Sequence, residues 1–153
     1  MSKNKNIKQT GQIFTPQWLV ELMLDEAGYK NRSIIGKDFM DNSCGNGAFL
    51  TEAVRRYCEA FFSQYYFPYP GDTVPGDNDS FHYFLRKDLE NRIHGIEIDP
   101  ELCKECRQNL DDTVNKVMEI HDMKPMEDSI RWDIVCSDTL DVCSFYYGQM
   151  DYV

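Results

Sequence analysis

An α/β fold with a mostly parallel sheet is the expectation for this chain, and three observations carry it. Short apolar runs (Phe39 to Asp41, Arg92 to Ile98, Trp132 to Cys136) alternate with longer stretches of helical periodicity. Helix-starting residues follow the first two runs, the order that crossover-connected parallel strands require. The first run ends in Asp41 and leads through Asn42-Ser43-Cys44 into Gly45-Asn46-Gly47, a turn that opens directly onto a helix. Doubly wound domains build nucleoside pockets in this way at a strand's carboxyl end.

In chain order, residues 1–10 are polar and expected to be flexible. Thr15-Pro16 predicts a helix start, with the Thr15 hydroxyl at the N-cap and Pro16 in the first turn. Trp18, Leu19, Leu22 and Met23 follow at helical spacing, and Gly28 supplies a stop. After the strand at Phe39 to Asp41, a helix from Gly47 places Phe49, Leu50, Ala53, Val54, Tyr57, Cys58, Phe61 and Phe62 on one face. Glu52, Arg55, Arg56 and Glu59 fall on the other. Residues 63–91 read as an insertion: prolines and glycines break the pattern up to position 79, and Ser80 to Asn91 predicts a helix capped by Ser80. A second strand follows, then Asp99-Pro100 starts a helix with Leu102, Cys103, Cys106, Leu110, Val114 and Val117 as its buried stripe. Trp132 to Cys136 is a third strand, and Met150 to Val153 begins a fourth.

At 153 residues the chain suits one domain. Neither an apolar run of membrane-spanning length nor a secretion signal is present, so a cytoplasmic protein without membrane contact is expected. A net charge of −10 argues against a nucleic-acid-binding face within these residues, because phosphate neutralisation needs clustered Lys and Arg. Tyr65, Tyr66, Phe67 and Tyr69 suit packing better than base stacking, since no basic residue lies between Arg56 and Arg86. Cys103-x-x-Cys106, with Cys136 and Cys143, has the makings of a zinc site. The helical spacing of the first pair favours plain packing instead, and no metal is expected.

Three acids stand where strands end: Asp41, Glu97 and Asp138. A carboxylate at the second strand's end suits the vicinal hydroxyls of a ribose, and one after the third suits an adenine amine. The aspartate at the entrance of the glycine turn disfavours a polyanionic pyrophosphate and suits a cationic nucleoside. Each acid also has a plain structural reading: an Asx turn at Asp41, a solvated strand-end charge at Glu97, an N-cap or turn at Asp138.

These residues together resemble the N-terminal part of S-adenosylmethionine-dependent, adenine-specific (N6) DNA methyltransferases of restriction–modification systems. Gly11-Gln12-Ile13-Phe14-Thr15-Pro16 looks like that family's motif ahead of the sheet. Asp41 to Phe49 looks like its aspartate–x–x–cysteine–glycine–x–glycine motif, with Asn42 where proline is usual. Gly95 to Pro100 looks like its ribose-binding strand, and Ser137-Asp138-Thr139 its adenine-contacting segment. The resemblance implies a Rossmann-like class I methyltransferase sheet with helices on both faces, here the first three strands and the start of the fourth, over residues 11–153. It implies S-adenosyl-L-methionine as cofactor, held by Phe14, Thr15, Pro16, Asp41, Ser43, Cys44, Gly45, Gly47, Phe49, Glu97, Ile98, Asp138 and Thr139. It also implies that the amine-positioning Asn/Asp-Pro-Pro-Tyr segment follows Val153, so that these residues alone are not expected to catalyse. DNA, a restriction or specificity subunit, and a second copy docked at an exposed sheet edge are the expected partners. The alternatives are a methyltransferase acting on cytosine N4, RNA or protein glutamine, or a non-catalytic nucleotide-binding module.

Overall fold

The computed structural model describes residues 15–65, 78–146 and 148–153. The readings at Gly11 to Phe14 and at Tyr66, Phe67 and Tyr69 lie outside them, as does the side chain of Cys143.

Helix α1 spans Gln17–Glu26, and Pro16 occupies its N-cap with no side-chain cap. The Thr15 cap is thereby corrected: the helix begins one residue later than the Thr-Pro signal placed it. The Pro16 carbonyl accepts from Leu19 and Val20. Its end follows the expected chemistry. Gly28 takes φ +75°, a conformation that costs glycine least. Around it Gly28 N–H bonds to Asp25 and Tyr29 N–H to Leu24, the paired bonds of a Schellman stop. The buried face is Val20 and Leu24, whereas Trp18, Leu22 and Met23 are exposed. The face read from helical spacing is thereby corrected: packing against the next helix buries Val20 and Leu24 instead.

A 3-10 turn at Asn31–Ile34 leads to strand β1 (Phe39–Asp41) and then to helix α2 (Ala48–Tyr65). Leu50, Ala53, Val54, Tyr57, Cys58, Phe61 and Phe62 are buried as the pattern required. Each large side chain so placed contributes about 1.5–3 kcal/mol. Glu52 departs from expectation, being 3% exposed on what reads as the polar face. Arg55 reaches both its oxygens (2.8 and 2.7 Å) and Arg56 adds Nε (2.8 Å), so the burial of this acid is compensated.

Helix α3 (Asn78–Arg92) begins before Ser80 and runs directly into β2, so half of the apparent insertion is regular structure. Tyr57 fastens it to α2 by donating to Asp88 (2.8 Å). Strand β2 (Ile93–Glu97), helix α4 (Pro100–Ile120) and strand β3 (Asp133–Cys136) follow. Asp99 caps α4 through Glu101 N–H, and the whole expected stripe of α4 is buried. A short helix α5 (Thr139–Val142) and a 3-10 turn (Cys143–Phe145) complete the elements.

The sheet is small, open and parallel, in the order β1-β2-β3. Tyr152 bridges Phe39 in parallel on the free side of β1, and Met40 N–H donates to its carbonyl (2.7 Å). The last residues thus pair beside the first strand.

Register puts Phe39, Ile93, Gly95 and Ile134 on one face and Met40, His94, Ile96 and Val135 on the other. Two right-handed crossovers stepping the same way across a sheet drop both helices on one face. Phe39, Ile93 and Ile134 accordingly share a core with α1 through α4. On the other face, among the described residues, Tyr146 in the return from β3 donates to Asp133 (3.0 Å) beside His94. Long helices on both faces are therefore not what the described residues form.

Candidate functional site

The return from β3 to the far side of β1 creates a topological switch point, and the carboxyl ends of the strands form its rim. The glycine turn lies across that rim. Cys44 N–H donates to Ile96 C=O (2.9 Å), and Gly45 N–H donates to Glu97 Oε2 (2.9 Å). From the third strand, Ser137 N–H reaches Glu97 C=O (3.0 Å), and the Thr139 hydroxyl bonds to Asn42 C=O. Asp41, Ser43 to Gly47, Glu97, Ile98, Asp138 and Thr139 are thereby drawn into one neighbourhood by segments distant in sequence.

Within it the three acids differ. Asp41 accepts from Ser43 N–H (3.0 Å) in an Asx turn. Burial raises its carboxyl above the ordinary range, the Ser43 bond opposes this, and the nearby Glu97 charge adds to it. Glu97 is 8% exposed, so it is not a solvated strand-end charge. Its second oxygen accepts from Asp99 N–H (2.9 Å), so one carboxylate ties the glycine turn to the start of α4. A carboxylate offers about four acceptor positions. Two are used here, one on each oxygen. Asp138 is exposed and accepts from Leu140 N–H (2.9 Å), the turn-capping role its sequence also allowed.

Gly47 has φ +94°, and a Cβ there would lie 2.9 Å from Cys106 Sγ. Both facts demand glycine. Cys44 is buried, with its sulfur 3.0 Å from the point where a Gly95 side chain would begin. Its side chain therefore faces the core, and only its main chain borders the rim. Hydrogen bonding to Cys106 and burial push the Cys44 thiol up, keeping it neutral. Burial and the neighbouring Cys136 likewise push Cys103 up, to about 12. The two cysteines of the C-x-x-C thus have different neighbours: Cys136 lies near Cys103, whose thiol donates to Glu97 C=O (3.2 Å), and Cys44 lies near Cys106. No metal-binding group of three or more side chains occurs among the described residues.

Phe49 is half-buried against the core, whereas Ile98 stands 65% exposed just past Glu97. Thr15 and Pro16 make no hydrogen bond to the glycine turn among the described residues. The first turn of α1 instead reaches α2 through Gln17 and Glu52 (3.4 Å). Phe14 lies outside the described residues.

Sequence reasoning overlooked Asn109, whose Nδ2 donates to Asn46 C=O (2.9 Å). The available signal was an amide beside the buried Leu110, one helical turn after Glu105, a position that faces neither core nor open solvent. No described helix is long and apolar enough to cross a membrane.

Compared with known families, residues 1–153 match the family model described as N-6 DNA Methylase. No curated protein matches the chain.

Proposed function

The chain belongs to the N-6 DNA methylase family, and we propose that its described rim is the S-adenosylmethionine site of a DNA methyltransferase acting on adenine N6 in a restriction–modification system. The observation that carries this reading is the Glu97 carboxylate: buried, fixed by two backbone amides, and left with one acceptor position on each oxygen. That is the donor–acceptor pattern of a ribose diol. When bound, the cofactor would supply an electrophilic methyl group.

The chain's own residues would do the rest by binding and orientation. Gly45 and Gly47 let a ligand approach the main chain. Asp41 offers negative charge beside the turn, where a sulfonium or ammonium would be favoured. The exposed Ile98 side chain offers an apolar surface for one face of a purine, and Asp138 retains a free oxygen for its exocyclic amine.

The 153 residues contain no Asn-Pro-Pro-Tyr or Asp-Pro-Pro-Tyr segment, so the role proposed for them is cofactor binding. With a net charge of −10, contact with DNA is assigned mainly to other parts of the protein.

Calorimetric titration with S-adenosylmethionine, S-adenosylhomocysteine, ATP and NAD tests this reading. Binding of the first two and not the others is expected. Preference for ATP or NAD, or no binding of either adenosyl compound, would overturn it.

A further inference from the structure

We propose that Asn109, on α4, is a positioning residue for the cofactor-binding turn; this rests on the function proposed above. The turn is held from several sides. Thr139 bonds to Asn42 C=O, Ile96 C=O receives Cys44 N–H, and Glu97 receives Gly45 N–H. None of these fixes the peptide plane between Asn46 and Gly47. That plane has two locks of its own. Its N–H donates to Cys44 C=O (2.8 Å) within the turn, and its C=O accepts from Asn109 Nδ2 (2.9 Å) across 63 residues of sequence.

The second lock matters because the plane abuts a glycine at φ +94°. Glycine opposes rotation of an adjoining peptide less than any other residue. A flipped plane would turn a carbonyl where an amide belongs and shift the main chain that a ligand is to meet.

Helix α4 is shaped as a seat for this segment. Glu105, one helical turn before Asn109, accepts from Asn46 Nδ2 (3.4 Å), and Cys106 lies directly under Gly47. Asn109 is half-buried, and a donor is required at its position. Aspartate would set a charged acceptor against the Asn46 carbonyl, and alanine would leave that carbonyl without its partner.

The test compares Asn109→Ala, Asn109→Asp and Asn109→Gln with the parent chain at a temperature where each is folded. Two readouts are taken: affinity for S-adenosylhomocysteine by calorimetry, and hydrogen exchange at the Gly47 amide by NMR. The alanine variant is expected to bind about 5-fold more weakly and the aspartate variant weaker still, with Gln restoring part of the loss. Gly47 exchange should accelerate in the same order. A change in melting temperature alone, with affinity within about twofold of the parent and exchange unaltered, would make Asn109 merely structural and overturn the proposal. If the parent chain binds no adenosyl compound, the functional reading fails, and the exchange measurement still decides whether Asn109 locks the turn.

Discussion

Glu97 is the residue whose removal the structure allows to be reasoned through most fully. In Glu97→Ala the amides of Gly45 and Asp99 both lose their acceptor at a site only 8% exposed. An unsatisfied buried amide costs about 1–3 kcal/mol. The rim admits some water, so the total loss of stability should be about 2–4 kcal/mol. For a domain of this size that lowers the melting temperature by about 5–15 °C. Affinity for S-adenosylhomocysteine should fall separately by about 1–3 kcal/mol, a loss of about 5- to 150-fold, through the missing diol acceptor. Glu97→Gln distinguishes volume from chemistry. It preserves shape but turns one oxygen into a donor facing a backbone N–H, so its affinity loss should approach that of alanine. Thermal melts and calorimetry on both variants separate the two effects. Unchanged affinity in a folded Glu97→Ala would remove Glu97 from the site, and unchanged melting would refute the two amide tethers.

Other consequences reach the core. Glu52→Gln should cost about 3 kcal/mol, because Arg56 keeps its burial and loses an anionic partner. Burial alone would raise the Glu52 carboxyl, but hydrogen bonds and charge from Arg55 and Arg56 outweigh it and hold it below the ordinary range. Its stabilisation is therefore complete above the unfolded value of about 4.3 and lost as pH falls through the lower folded one. Urea melts between about pH 5 and 3 should show a shallower pH slope in Glu52→Gln than in the parent, and equal slopes would contradict this. Tyr29 is fully buried against Phe39 and Tyr152, and its hydroxyl has no hydrogen-bond partner among the described residues. Tyr29→Phe should be neutral or stabilising by up to about 1 kcal/mol, and a loss larger than that in denaturant titration would reveal a partner. In Gly95→Ala the new methyl would meet Ile134 and Leu50 carbons at 2.9 Å and Cys44 sulfur at 3.0 Å. A cost of about 1–3 kcal/mol is expected, with weaker S-adenosylhomocysteine binding through displacement of Cys44. A variant as stable as the parent would show that this core yields.

The elements legible in the sequence were those whose signals are local. Gly28 ended α1 because an unbranched backbone takes the left-handed turn at least cost, and Asp99-Pro100 began α4 because an acceptor and a fixed φ suit that end. The stripe from Leu102 to Val117 was readable since helical period and burial coincide there. Asp41, the glycine turn and Glu97 were readable as neighbours because parallel strands present their carboxyl ends on one edge.

Contacts between distant segments were decided by the tertiary structure alone. Local pattern put Glu52 on a solvated face, yet Arg55 and Arg56 on its own helix, with α1 closing over them, make burial affordable. The Thr15 cap and the Trp18, Leu22 and Met23 face failed because α1 takes its phase from the side of α2 it meets. Asn109 carried only a faint local signature, an amide beside the buried Leu110, and nothing in that pattern named its partner 63 residues away. Periodicity reports which residues avoid water, and chain direction reports where strands end. Which polar group answers which is fixed only when helices and strands meet, because a hydrogen bond depends on distances that no sequence spacing encodes.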